Sequence, residues 1–181
     1  MNQKQLRIFL IIIFLLFILI LLVGCKTDEL NTPENVIVQS DDEKFQISLP
    51  SSIDIEFNND QNYSLDLFSS KDNMYLYANT IYKNREIDLL EYIKDDKEYI
   101  FSSKENSRNC SEISSVQIHD YKAYTYSFIY TDSDFGKDFY TQIIWIETSQ
   151  NIYILNFEII IENKDSFIQI FNDIAHSFTE I

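Results

Sequence analysis

Glycine is nearly missing from this chain: Gly24 and Gly136 are the only two in 181 residues. Phosphate cradles and dinucleotide-binding turns need several glycines at fixed spacing, because the backbone itself must approach the ligand, so both are excluded. Turns must instead be made by asparagine, aspartate and serine, whose short side chains satisfy local backbone groups. Cysteine and histidine are as scarce. Cys25 and Cys110 are the only thiols, and His119 and His176 stand 57 residues apart, a pattern that argues against a zinc site. Basic residues are outnumbered, 14 against 29 acidic ones, for a formal net charge of −15. Such a surface repels nucleic-acid phosphates and anionic lipid headgroups, which excludes nucleic acid as a partner and flat adsorption onto a membrane. Aromatic residues, by contrast, are plentiful. Twelve Tyr and fourteen Phe predict a packed core rather than disorder.

The first residues differ from the rest. Lys4 and Arg7 precede an unbroken apolar run from Ile8 to Val23, and the first acidic residue is Asp28. A basic start, an apolar stretch and a small residue together read as a secretory signal. The run of 16 residues falls short of the ~20 that cross a bilayer comfortably. Its end, Leu22-Val23-Gly24-Cys25, resembles the bacterial lipobox. That resemblance implies cleavage between Gly24 and Cys25 and a diacylglycerol anchor on the Cys25 thiol. The alternative is an uncleaved signal anchor, and in either case the basic residues hold the amino terminus in the cytoplasm and the domain outside. The expected location is thus the extracytoplasmic face of the cell membrane, with the membrane contacted through the N-terminal lipid. Removing residues 1–24 takes two basic and no acidic residues, leaving 12 basic against 29 acidic and a charge of −17 over 157 residues. Acylation of Cys25 would leave Cys110 without a partner, so packing rather than a cross-link must stabilise the fold.

Residues 25–43 read as the lipidated cysteine and a polar tether, interrupted by a brief Val36, Ile37 and Val38 patch. From residue 44 onward a period of two appears at Phe45, Ile47 and Leu49, again at Ile53, Ile55 and Phe57, and at Tyr63, Leu65 and Leu67, followed by a longer strand over 74–82. Over 86–101 apolar residues recur at Ile87, Leu90, Ile93 and Ile100, which predicts an amphipathic helix with Asp88 and Glu91 at its positive end. Strands are predicted over 112–119, 122–131, 138–148 and 151–161, joined by short polar turns as an antiparallel meander. A second helix closes the chain over 164–178, with Phe167, Ile168, Phe171, Ile174, Ala175 and Phe178 on one face. The fold class is α+β: a mainly antiparallel sheet of six to eight strands flanked by two helices.

This order, with the opening "FQISLP", the helix "LLEYIKDDKEYI", the hairpin "IHDYKAYTYSFIY", the strand "NIYILNFEI" and the closing "IFNDIAHSF", resembles the PsbP-like fold. That fold is shared with a Ran-binding nuclear import factor and with many bacterial lipoproteins. The resemblance implies an antiparallel sheet sandwiched between helices over roughly residues 44–181, in a family whose characterised members mostly bind other proteins. Two positions depart from it: Pro50 leads into Ser51 and Ser52 rather than Gly and Trp, and Asp120-Tyr121 replaces the usual glycine of the central turn.

No cluster dictates a reaction. Cys110, His119 and Asp120 have the residue types of a thiol nucleophile, but a loop cysteine and a hairpin-turn histidine explain them as well. The stretch 132–138 (DSDFGKD) has some of the acids of a calcium loop, yet lacks its third ligand and its distal glutamate, and reads more simply as a polar hairpin. Asp95 and Asp96, adjacent on a helix, lack a partner across a cleft. The most suggestive feature is the row Tyr124, Tyr126, Phe128 and Tyr130 on one face of a strand, with Tyr75 and Tyr77 as a shorter pair. Such a row is either a recognition surface or the bed of a covering helix, and the second is favoured because a helix must cover something. Neither catalytic residues nor a cofactor nor a metal are expected. The reading is a tethered, non-catalytic lipoprotein that binds a protein partner; the alternatives are a small-ligand receptor using the aromatic face or a cleft, and a hydrolase.

Overall fold

A computed structural model describes residues 35–58, 60–83 and 88–181. The signal segment, Gly24, Cys25, the first part of the tether and the start of the first predicted helix lie outside the described residues.

The strands are β1 (Asn35–Gln39), β2 (Phe45–Pro50), β3 (Glu56–Phe57), β4 (Leu65–Ser69), β5 (Met74–Tyr82), β6 (Ser114–Ile118), β7 (Tyr121–Asp132), β8 (Lys137–Glu147), β9 (Asn151–Ile160) and β10 (Thr179–Glu180). The helices are α1 (Leu89–Ser103) and α2 (Lys164–His176), the latter entered through a single 3-10 turn. Seven strands form one antiparallel sheet in the order β3-β4-β5-β9-β8-β7-β6, and β1, β2 and β10 form a second. After β5 the chain passes through α1 to the far edge, and β6 to β9 then meander back until β9 pairs along the whole of β5, from Met74↔Ile159 to Tyr82↔Asn151.

Two-residue alternation assigns the two faces of the large sheet. Met74, Leu76 and Ala78 of β5 share a cluster with Leu155, Phe157 and Ile159 of β9, under Phe167, Phe171, Ile174 and Ala175 of α2. Phe157 and Phe171 stack with centroids 4.8 Å apart. The small sheet lies on the same side, sending Phe45, Ile47 and Leu49 of β2 into that cluster. The opposite face receives α1 through Leu89 and Ile93, which are buried against Tyr126, Phe128, Ile143 and Trp145. Asp88 caps α1: its carboxylate accepts from the Leu90 and Glu91 N–H groups at 3.0 and 3.3 Å. The large sheet is therefore packed on both faces, which is why β8 and β9 are buried over nearly their whole length.

The expected α+β architecture holds, with three corrections. Residues 35–39 of the predicted tether are a strand, paired from Asn35↔Pro50 to Gln39↔Gln46, so the fold begins before residue 44. That strand escaped notice because it is an edge: only Val38 is buried, while Val36 and Ile37 remain exposed. Ile53 and Ile55 precede, rather than occupy, the two-residue β3. Among the described residues there are ten strands in two sheets rather than the six to eight expected, since elements as short as β3 and β10 carry no periodicity. Scarce glycine has the predicted consequence. Gly136 (φ 62°) shares the left-handed region with Glu43, Asn73, Asn106, Asn109 and His119, so asparagine supplies three of the five non-glycine cases.

Candidate functional site: a polar cleft beside the first helix

On the α1 side, β9 presents Ile152, Ile154, Asn156, Glu158 and Ile160 in alternation. Two polar residues thus interrupt an apolar row in the middle of a buried sheet. Register gives their neighbours: Asn156 lies between Ile143 of β8 and Tyr77 of β5, and Glu158 between Thr141 and Tyr75.

Glu158 is 6% exposed. A carboxylate so placed is costly unless strong donors surround it. Tyr77 donates to its Oε1 at 3.0 Å and Tyr130 to its Oε2 at 2.9 Å. The Lys104 ammonium approaches Oε1 at 3.3 Å and lies 4.3 Å from the centroid of the Tyr130 ring. Lys104 is positioned by the end of α1, where its own N–H caps the Ile100 carbonyl at 3.2 Å. Burial first, and then the charge and hydrogen bonds of Glu158, push the Tyr77 and Tyr130 hydroxyls well above the ordinary phenol range. Both therefore stay protonated and act as donors.

This cluster is the hinge point of two adjoining hollows, of about 300 and 320 Å³, which share Tyr63, Tyr77, Lys104 and Glu158. The inner hollow is walled by Ile100, Phe128, Ile143 and Ile154, with Asp96 and Ser103 contributed by α1 and Asn79, Thr141 and Asn156 by the sheet. Its rings include Tyr63 and Tyr77, tilted against each other with centroids 4.8 Å apart. The outer hollow adds Asp60, Asp66, Asp132, Tyr75, Phe135 and Phe139. One buried hydroxyl of the lining is unsatisfied. Thr141 is 0% exposed and its hydroxyl has no partner. Asn156, 5% exposed, lines the same hollow. Burial raises the Asp96 carboxyl above the usual range; burial, then Asp60, does the same for Asp66 and for the Tyr63 hydroxyl. Among the described residues Lys104 is the one cation lining either hollow, against Asp60, Asp66, Asp96, Asp132 and Glu158.

Tyr124, Tyr126, Phe128 and Tyr130 do share a face, but not as an exposed recognition surface. Tyr126, Phe128 and Tyr130 are buried as the bed of α1, with Phe101 edge-on to Phe128 at 6.0 Å. Tyr124, half-buried, lies at the end of the row with the Lys122 ammonium 5.8 Å from its ring centroid. The reason is simple: β7 lies inside the sheet, and its aromatic face is what α1 covers. The row contributes to the cleft only through Phe128 and Tyr130.

The other sequence candidates separate. Cys110 packs, half-buried, beside α1, in a groove of about 500 Å³ with Leu90, Lys94 and Phe101, whereas His119 occupies the left-handed position of the β6–β7 turn. The 132–138 loop turns on itself: the Asp132 carboxylate accepts from the Asp134 and Phe135 N–H groups, and Arg108 and Thr131 donate to Asp138. Among the described residues no three His, Cys, Asp or Glu side chains converge as metal ligands. An apolar groove of about 360 Å³ runs between β1, β2 and Phe57, without a charged side chain to orient a ligand. Sequence reasoning overlooked Asn156, Glu158 and Thr141. The signal was present, since asparagine and glutamate inside "NIYILNFEII" fall on the same strand face.

No protein-family model matches the chain, and no curated protein matches it. Solved structures do. LpqN, involved in cell envelope biogenesis of Mycobacterium tuberculosis, superposes with a TM-score of 0.60 at 12% identity, over 81% of this chain and 90% of that one. A cyanobacterial PsbP (CyanoP) from Synechocystis gives 0.55 at 8% identity, over 86% and 98%. A protein from Bacteroides thetaiotaomicron gives 0.56 at 11%, over 83% of this chain and 49% of the other. At these identities the likeness concerns architecture alone, and the architecture is that of the PsbP-like fold.

Proposed function

We propose that this protein is a lipid-anchored, extracytoplasmic and non-catalytic binding protein that takes a small ligand in the cleft between α1 and the large sheet. One observation carries the choice of ligand over protein partner: the cleft floor holds a fully buried hydroxyl, that of Thr141, without a hydrogen-bond partner. Buried polar groups are ordinarily satisfied, so an unpartnered hydroxyl in a cleft with aromatic walls suits a receptor site. An exposed tyrosine row would have favoured the assembly-module reading, and that row is the bed of α1. The anchor rests on the lipobox-like Leu22–Cys25 stretch, and the envelope role of LpqN is in keeping with that location.

The test uses the full chain in detergent, screened by thermal shift against small amines, polyols and carboxylic acids. Binding is expected from one class, and Thr141→Val should weaken it about tenfold while leaving stability within ~1 kcal/mol, because the hydroxyl it removes has no partner. If no small molecule binds while a protein crosslinks at the outer surface, the assembly reading replaces this one. Metabolic lipid labelling should mark the wild type and not Cys25→Ala; equal labelling would remove the anchor.

A further inference from the structure

We infer that the ligand of the cleft is an organic ammonium with an aliphatic body, its charge held by Asp96 and its chain lying between the isoleucines and the Tyr63–Tyr77 rings. This rests on the small-ligand reading and names its chemistry.

Lys104 is already engaged by Glu158 at 3.3 Å and by the Tyr130 ring. Asp96 faces the same cleft from α1, and among the described residues it has neither an ion-pair partner nor a hydrogen bond. A partly desolvated carboxylate without a cation is incomplete, and a ligand ammonium would complete it. The second observation is independent of charge. Thr141, fully buried, and Asn156, 5% exposed, line the same hollow, and the Thr141 hydroxyl has no partner. A primary ammonium has three donors, enough to address a carboxylate and that hydroxyl together. The third is shape. Ile100, Ile143 and Ile154 offer an apolar channel beside the tilted tyrosine pair, whose ring faces also attract cations.

Other ligand classes fit less well. Anions would meet Asp60, Asp66, Asp132 and Asp96, with no free cation among the described residues to receive them. A divalent metal needs several converging oxygens, and no three acids converge among the described residues.

The test is calorimetric titration of the full chain in a polyoxyethylene detergent. The probes are an alkylamine series from methylamine to hexylamine, with cadaverine and spermidine; the controls are 1,5-pentanediol, sorbitol and calcium chloride. At least one amine should bind, more tightly than its hydroxyl counterpart, and Asp96→Asn should weaken it about tenfold or more without changing the melting temperature. If pentanediol or sorbitol binds as tightly and Asp96→Asn changes nothing, the cleft is a receptor site but not for a cation. Calcium that displaces the amine, or an amine lost through Asp66→Asn and not through Asp96→Asn, also overturns the assignment. If no probe of any class binds, the ammonium inference and the cleft reading fall together.

Discussion

Glu158 concentrates the energetics of the cleft in one side chain. Its three donors come from β5, β7 and the end of α1, at sequence separations of 81, 28 and 54 residues. Glu158→Ala would leave two buried tyrosine hydroxyls and an ammonium without an acceptor. A loss of about 3 kcal/mol in urea unfolding is expected, against about 1 kcal/mol for Tyr77→Phe, which leaves the carboxylate two donors. The same tyrosines give a pH signature. Their folded-state pKa values are raised, so the fold favours the protonated phenol. This contribution is complete below the ordinary phenol pKa of about 10 and is lost as pH rises above it. Absorbance titration at alkaline pH should therefore show exposed tyrosines ionising first, with Tyr77 and Tyr130 ionising only as the protein unfolds. Smooth ionisation of all tyrosines in a folded chain would contradict this.

At the scale of elements, α1 has two jobs. Its first turns cover the aromatic face of β7 and β8, and its second half, with the C-cap, brings Asp96, Ile100 and Lys104 to the cleft. Asp88 is its N-cap, and Asp88→Ala should cost about 1 kcal/mol in chemical denaturation and lower ligand affinity only slightly, since the cap lies at the opposite end. The long strands of the meander were legible in the sequence. β5 and β7 carry a two-residue alternation, β8 and β9 are long, largely apolar runs, and β7, β8 and β9 are separated by polar turns. The edges were not. β1 buries one side chain of five, and β3 and β10 are two residues long, so neither periodicity nor composition marks them. Their pairing is fixed by neighbours: β1 and β10 both attach to β2, from opposite ends of the described chain.

At the scale of the molecule, charge is one-sided. With 29 acidic and 14 basic residues, the folded chain repels itself, and salt should screen that repulsion. The melting temperature is expected to rise from low to physiological sodium chloride. A fall would point to the few ion pairs, such as Lys83–Glu147 at 2.7 Å, as the dominant electrostatic contribution. The sequence by itself determined the class of fold, the position of both helices and the four long strands, because local periodicity and turn chemistry act over neighbouring residues. It also determined that the tyrosine row needed a cover. Only the tertiary structure decided that α1 is that cover, and that β9 returns to β5. That return sets Glu158 and Asn156 beside Tyr77, and the end of α1 closes over them with Asp96 and Lys104. Those contacts join residues dozens of positions apart, and long-range strand pairing depends on the packing of whole faces, which no short stretch of sequence contains.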